Sequence, residues 1–178
     1  MVQKNKKNTP RRHFGRDSNG ATAIEFGIVA LPFVATLFAL IETGLVIFAG
    51  QVLETATSDA ARLIRTGQTQ QANQTKAEFR DVICERAGGL FDCSGLAIEV
   101  QTFSTFDDVE FSNPSGAGGA LRPDMPYNPG GAGQIVIVRA YYQWPVFVRL
   151  MGHDLTNTVN GKHLLVATAA FRNEPFPW

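Results

Sequence analysis

The sequence contains little of what catalytic and metal-binding sites are made from. Its 178 residues include two cysteines and three histidines, and charged residues make up only 18%. The G-x-S-x-G elbow, the H-E-x-x-H pair and the phosphate-binding loop are all missing. We therefore expect a protein that is not an enzyme and has no catalytic residue, metal, cofactor or small-molecule substrate. Sixteen basic residues are balanced by sixteen acidic ones, which excludes a nucleic-acid binder that relies on bulk positive charge.

Charge is also absent from a long apolar run near the N-terminus. Residues 26–41 contain no ionisable group, and residues 21–50 contain only Glu25 and Glu42. The 24 residues from 26 to 49 would form a helix about 36 Å long, whereas the hydrocarbon core of a bilayer is about 30 Å thick. Apolar residues occur on every face of such a helix, so a one-sided amphipathic helix does not account for them. Residues 21–50 are predicted to be a transmembrane helix.

The charge distribution predicts how this helix is oriented. Residues 1–20 contain six basic groups and one acidic group, whereas the remaining 158 residues contain ten basic and fifteen acidic groups. The positive-inside rule places the basic leader, residues 1–20, in the cytoplasm and the C-terminal domain outside the membrane. A cleaved secretory signal is the main alternative. Its apolar region would be shorter, however, and Phe48-Ala49-Gly50 is a poor cleavage site.

Glu25 is the residue of the apolar run that most needs an explanation. A carboxylate within a membrane helix is costly unless a cation lies nearby or the residue marks the interface where the span begins. Cleavage after Gly20 would create an amine at Ala21, four residues before Glu25, and residues at this spacing face each other on a helix. The amine of a neighbouring copy could also neutralise Glu25, which would set the offset between packed helices.

The residues around Gly20 resemble a known processing site. Residues 20–26, GATAIEF, look like the site of type IV pilin-like proteins. Residues 16–26, followed by Pro32, resemble the TadE-like family of the Tad (tight adherence, Flp) pilus system. Further along, the segments IETG at residues 41–44 and AAR at residues 60–62 fit the later part of the same pattern.

This resemblance implies a minor pseudopilin of the bacterial inner membrane. A prepilin peptidase would cut after Gly20, which makes Ala21 the mature N-terminus, and Glu25 and Phe26 would serve recognition or packing. The family takes part in assembly of the pilus fibre together with other pilins and pilus assembly proteins, so these are the implied partners. After processing, the protein could also be present in the extracellular pilus.

Small residues in the run indicate helix–helix association. Ala35, Ala39 and Thr43 recur at four-residue spacing, which lets helices approach each other closely in lipid. Pro32 removes one backbone hydrogen bond, which membrane helices tolerate when neighbouring groups satisfy the backbone. The alternative is that these residues only reflect the general abundance of small residues in membrane helices.

The helix is predicted to continue beyond the membrane. Leu53, Ala56 and Ala60 recur every three or four residues, and Gly67 is a natural C-terminal stop. One helix over residues 18–66 would be about 75 Å long. Its inner half would lie in lipid, and its periplasmic continuation, residues 51–67, would pack on a domain. The polar residues 68–75 are predicted to form a loop.

The periplasmic domain that follows, residues 68–178, is predicted to contain a disulfide. A second helix is expected over residues 76–87, where two glycines end it, and it contains Cys84. Since Cys93 is the only other cysteine and the periplasm is oxidising, we expect a Cys84–Cys93 bond worth about 2–3 kcal/mol. Two unpaired buried thiols are the alternative, whereas a metal site would need further ligands.

Three strands and a long loop complete the prediction. Strands are expected over residues 96–106, 134–144 and 162–172, with the second in the centre because it is richest in β-branched and aromatic residues. Residues 113–133, dense in glycine and proline, are expected to be a long exposed loop, and residues 145–152 a short helix. The predicted fold class is α+β and pilin-like, with a long N-terminal helix and a small, mostly antiparallel sheet.

Two functions are compatible with these features. The first is a structural assembly protein, the processed pseudopilin. The second is an uncleaved single-pass membrane anchor that carries a periplasmic binding module of a pilus or secretion complex. An exported enzyme behind a cleaved signal is a third interpretation, but no residue of the sequence supports it.

Overall fold

The computed structural model of the chain describes residues 18–109, 113–147 and 155–176. Its helices and strands are, in chain order, α1 (Ser18–Arg65), α2 (Gln68–Gln71), α3 (Lys76–Arg86), β1 (Leu96–Phe103), β2 (Ile135–Pro145) and β3 (Lys162–Arg172). These residues fall into two compact units, one up to Phe38 and the other from Ala39 onwards. Residues 1–17 of the predicted leader and residues 148–152 of the predicted short helix lie outside the described residues.

The first half of α1, residues 20–41, is exposed on all sides, and we call it the exposed half. None of its side chains is buried in the described structure, and the bulky Leu31 and Phe33 are 75% and 67% exposed. α1 runs through Pro32 without interruption. Pro32 has no amide hydrogen to donate to the carbonyl four residues earlier. Its own carbonyl accepts a hydrogen bond from Oγ1 of Thr36 at 2.8 Å.

The second half of α1, residues 42–65, buries one face, and we call it the packed half. The buried apolar side chains recur at the three- and four-residue spacing of a helix that lies on a core. They are Val46, Ala49, Leu53, Ala56, Ala60, Ala61 and Ile64. The helix ends close to its predicted limit, because Gly67 has a left-handed φ of 80° that glycine adopts without strain.

The polar segment after α1 is not the loop that the sequence predicts. It contains α2, a single helical turn in which the amide of Gln71 donates to the carbonyl of Gly67 at 2.9 Å. Thr69 is buried, and the Nε2 of Gln70 donates to the carbonyls of Pro129 and Gly130 at 2.9 and 3.1 Å. Hydrogen bonds to a distant part of the chain therefore fix a segment whose composition alone suggests a loop.

α3 confirms the predicted second helix. Thr75 and Glu78 form a capping box at its start, in which each side chain bonds to the backbone amide of the other residue. Phe79, Ile83 and Cys84 are buried on the face toward the core. Two glycines with positive φ follow the helix, as the predicted stop requires.

The three strands form one antiparallel sheet with β2 in the centre, as predicted. β3 has its predicted bounds, whereas β1 ends at Phe103 because a 3₁₀ turn begins at Phe106. Ile98, Ala140 and Ala167 line up across the strands in register, and all three are buried in one core with α1 and α3. The fold is therefore α+β, a long helix packed on a small antiparallel sheet.

The glycine- and proline-rich segment 113–133 is only partly the exposed loop that was expected. Its residues 126–128 lie along the outer edge of β1. There the amide of Val100 donates a hydrogen bond to the carbonyl of Pro126, and the carbonyl of Val100 accepts one from the amide of Asn128. Both bonds are 2.9 Å long. Met125 is buried, and its carbonyl accepts from Nζ of Lys76 at 2.6 Å. The correction has a physical reason, since an uncovered strand edge leaves backbone groups unpaired.

Candidate functional site

The predicted processing site lies in the first turns of α1. Because α1 begins at Ser18, the predicted site residues are helical and lie on one short segment. They are Gly20, Ala21, Glu25 and Phe26, and all four are exposed, Phe26 by 74%. Among the described residues, apart from the adjacent part of α1, no atom lies within 4 Å of a Cβ atom built on Gly20. Within the described part of the chain, no other segment covers these four residues.

Three of the predicted packing residues lie along one side of α1, from the end of the exposed half into the packed half. Ala35 and Ala39 are half-buried, and so is Thr43, whose Oγ1 donates to the carbonyl of Ala39 at 2.8 Å. Leu31 and Phe38 lie one turn from Ala35 on the helix surface and are 75% and 57% exposed. Small side chains next to bulky exposed ones allow a second helix to approach closely.

Within the described residues, α1 is the one helix long and apolar enough to cross a membrane. Its most apolar window of 18 residues has a mean hydropathy of 2.3 and contributes no buried residue. Apolar side chains that are exposed over several helical turns are stable in lipid and unfavourable in water. The structure therefore agrees with membrane association of this helix.

Glu42 marks the point where the domain begins to cover α1. Its side chain is only 6% exposed, and its Oε1 accepts a hydrogen bond from the backbone amide of Phe147. Leu45 and Phe48, one and two turns further along, are still 51% and 58% exposed. The last part of the predicted span, residues 42–50, thus has one face on the domain and another face open.

The predicted disulfide is present and fastens α3 to the sheet. Cys84 is buried in the last turn of α3, and Cys93 lies in a 3₁₀ turn directly before β1, with the two Cα atoms 5.7 Å apart. Phe91 lies between them in sequence and is buried. Its ring packs edge-on against the rings of Tyr142 at 4.8 Å and Trp144 at 6.0 Å. The bond therefore closes a compact aromatic cluster at the start of β1.

A buried ion pair in the sheet escaped the sequence analysis. Nε of Arg139 lies 3.1 Å from Oε2 of Glu99, its direct cross-strand neighbour, and both side chains are at most 4% exposed. The hydroxyl of Tyr141 donates to the same carboxylate at 3.0 Å, and burial raises the pKa of Tyr141 to about 12. The available signal was an arginine in the middle of a strand predicted to be central, where a charge needs a partner.

The described residues contain no cluster of potential metal ligands. No group of three or more His, Cys, Asp or Glu side chains among them could hold a metal ion. A cavity of about 580 Å³ lies beside β1 and is lined in part by Lys76, Arg80 and Arg122. Two of these cations already form ion pairs, Arg80 with Asp81 at 3.0 Å and Arg122 with Asp124 at 3.1 Å.

A comparison with protein families connects the exposed helix to a known group. Residues 20–62 match the family model described as TadE-like protein. The N-terminal helix is TadE-like. The match confirms the resemblance seen in the sequence, and it lies entirely within α1. No curated protein and no solved structure matches the chain.

The TadE-like match covers both halves of α1. It begins at Gly20 and ends at Arg62, so it includes the exposed apolar surface and most of the packed half. The sheet and α3 lie beyond it. The features that the chain shares with TadE-like proteins are therefore those of the helix.

Proposed function

We propose that this chain is a minor pseudopilin of a Tad-type pilus, cut after Gly20 by a prepilin peptidase. The mature protein begins at Ala21 and takes part in pilus assembly together with other pilins and pilus assembly proteins. The observation that carries the proposal is the TadE-like match, which starts at Gly20 and extends along the exposed helix. The exposure of the segment around Gly20 is what a peptidase substrate requires.

The proposed topology places the basic leader in the cytoplasm and the domain in the periplasm. Six basic residues before the helix support this orientation through the positive-inside rule. The disulfide of the domain supports it too, because such bonds persist in oxidising compartments. The protein is then a single-pass protein of a bacterial inner membrane, from which it can enter the pilus.

Glu25 has a specific role in this proposal. Once Ala21 is the N-terminus, its amine lies four residues from the Glu25 carboxylate on the same helix. The amine of a neighbouring helix can take the same place, and pairing then sets the axial offset between subunits. The small residues Ala35, Ala39 and Thr43, together with Pro32, form the surface at which two helices would meet.

Cleavage requires the first turn of α1 to open, because the Gly20–Ala21 bond is helical. The first four amides of a helix have no intrahelical acceptor, so this turn is the least stable of the helix. The first turn is thus suited to unwinding in a peptidase site.

An uncleaved membrane anchor with a periplasmic binding module is the second candidate. The observation that favours it is the continuity of α1 from Ser18 across the bond that would be cut. N-terminal sequencing of the protein extracted from membranes separates the candidates. A start at Ala21 supports the pseudopilin, an intact leader supports the anchor, and a start near Gln51 would replace both with a cleaved secretory signal.

The role of Glu25 is tested with Glu25→Ala in cells that assemble the pilus. We expect impaired processing or impaired incorporation into the fibre, since the variant lacks the carboxylate that pairs with the Ala21 amine. Glu54→Ala is the matched control, because Glu54 is an exposed glutamate of the same helix beyond the apolar run. Normal processing and incorporation of Glu25→Ala would remove the role proposed for this residue.

A further inference from the structure

Two bulky apolar side chains of the domain are more exposed than any on α1. Phe147 is 82% exposed and Val159 is 90% exposed. Phe147 follows the end of β2 by two residues, and Val159 precedes the start of β3 by three. Because β2 and β3 are antiparallel and pair Pro145 with Lys162, both side chains lie at the same end of the sheet. We call this end the rim.

The rim lies at the end of the domain where α1 enters. The backbone amide of Phe147 donates to Glu42, the first buried residue of the packed half. At the opposite end of the sheet, the carbonyl of Arg65 accepts a hydrogen bond from the amide of Glu174 at 2.9 Å, just past β3. The order of contacts along α1 therefore runs from the rim at Glu42 to the far end at Arg65.

The apolar surface of α1 continues past the level of the rim. Leu45, Ile47 and Phe48 are 51–61% exposed, and Phe48 lies six residues beyond Glu42. Six residues of helix correspond to about 9 Å along the axis. The apolar surface of α1 therefore extends toward the domain beyond Glu42, the residue to which the Phe147 amide is hydrogen-bonded. The rim is thus beside an apolar part of the helix.

We propose that the rim contacts the lipid bilayer, with Phe147 and Val159 inserted at its outer interface. The occupant is lipid because the rim is continuous with the apolar surface of a helix that can span a membrane. Its composition also suits an interface, where apolar side chains enter the acyl boundary and cationic side chains meet phosphate groups. Lys162 is exposed at the same end of the sheet, and polar Asn157 and Asn160 lie in the turn before it.

This contact gives the domain a second attachment to the bilayer besides α1. It rests on the membrane insertion of α1 in the proposed function, but it does not depend on cleavage after Gly20. The contact also constrains assembly, because a subunit that leaves the membrane for a fibre must withdraw Phe147 and Val159 from lipid. The rim would then be available to neighbouring subunits.

Fluorescence quenching by brominated lipids tests the contact on the full chain. The protein is reconstituted into vesicles of phosphatidylethanolamine and phosphatidylglycerol, with and without bromine on the acyl chains. A bimane probe is attached to Phe147→Cys or Val159→Cys, and the native cysteines stay unlabelled in their disulfide. Leu45→Cys is the control for a lipid-exposed helix residue.

The second control is Thr168→Cys, because Thr168 is exposed on β3 and lies six residues beyond Lys162. Six residues of strand place it about 20 Å from the rim. We expect quenching at Phe147 and Val159 that is at least about half of that at Leu45, and little at Thr168. All the substituted positions are exposed or partly exposed, so the variants should fold.

Three outcomes would overturn the inference, and each has its own signature. If Leu45 is strongly quenched while the rim probes show as little quenching as Thr168, the helix is inserted in the bilayer but the rim does not contact it. Absence of quenching at Leu45, and also at a Leu31→Cys probe in the apolar run before the rim, would refute membrane insertion itself, and with it the membrane part of the proposed function. The rim probes could instead become shielded from water as the protein-to-lipid ratio rises, without any quenching by bromine. That result would show that the rim binds a second copy of the chain.

Discussion

The two halves of α1 belong to one continuous helix, yet they bury their side chains differently. In the exposed half, Leu31 and Leu40 are 75% and 67% exposed. In the packed half, Leu53 and Ile64 are fully buried against the domain. The comparison teaches that the same residue type is exposed in one stretch of a helix and buried in the next, according to whether the domain covers it. The distinguishing feature is the polar face of the packed half, to which Glu54 belongs.

The two glutamates of the apolar run differ in the same way. Glu25 is exposed in the first turns of α1, where a peptidase or a neighbouring helix can reach it. Glu42 is buried, and it binds the backbone amide of Phe147. The same residue type in the same run therefore has a proposed intermolecular role at one end and an intramolecular role at the other.

The largest expected effect on stability is the difference between truncating a leucine of the packed half and truncating one of the exposed half. Leu53→Ala should lower the free energy of unfolding of the domain by about 2–5 kcal/mol, because it leaves a cavity between α1 and the sheet. Leu40→Ala removes the same atoms from an exposed position, so it should change the free energy of unfolding by less than about 0.5 kcal/mol. Urea unfolding of the full chain in detergent micelles, followed by tryptophan fluorescence, measures both. Equal effects of the two substitutions would contradict the division of α1.

The next largest effect is that of the Cys84–Cys93 disulfide on the stability of the unit that contains the packed half. Reduction of the Cys84–Cys93 bond should lower the free energy of unfolding by about 2–3 kcal/mol, since the unfolded chain gains freedom. The same unfolding experiment with and without reductant measures the change, and the double variant Cys84→Ala, Cys93→Ala is the control that should not respond to reductant. Rapid alkylation of either cysteine in the native protein without reductant would contradict the bond.

The smallest expected effect is a pH dependence at the start of α3. Hydrogen bonds from Thr75, first from its amide and then from its hydroxyl, hold the pKa of Glu78 below its ordinary value of 4.5. The stabilisation by ionised Glu78 is therefore complete above pH 4.5 and is lost as the pH falls through the lower pKa of the folded state.

Melting temperatures of the protein and of Glu78→Gln, measured between about pH 7 and pH 3, test this dependence. The protein should melt higher than the variant at neutral pH, and the difference should shrink toward acid. Glu54→Gln on the packed half serves as the control for removal of an exposed carboxylate without a capping box. A difference between protein and Glu78→Gln that is independent of pH would refute the assignment to the ionised carboxylate.

Elements with strong local patterns could be predicted from the sequence. The three- and four-residue spacing of Leu53, Ala56 and Ala60 placed them on the buried face of α1. The strand predicted over residues 162–172 has its observed bounds, and Gly67 predicted the end of α1. These features follow from periods of 3.6 and 2 and from the backbone freedom of glycine, which are properties of short stretches of chain.

Elements that depend on distant contacts could not be predicted in the same way. α2 is held by Gln70, which bonds to carbonyls about sixty residues away, and the edge of β1 is covered by residues 126–128. Glu99 lies between Ile98 and Val100 in β1, where simple alternation would expose it, yet it is buried with Arg139. The local sequence pattern does not indicate which distant segment will cover a polar side chain, so the burial of that side chain could not be predicted.

The amino-acid sequence was sufficient to predict the long apolar helix, its TadE-like character, the chain order of α1, α3 and the three strands, and the pairing of the two cysteines. These depend on local periodicity, on a short motif and on the number of cysteines. Only the tertiary structure decided that the domain covers α1 from Glu42 onwards and that Phe147 and Val159 share one rim. The physical reason is that burial and proximity arise when antiparallel strands and a helix come together, and residues 105 positions apart, such as Glu42 and Phe147, then become neighbours.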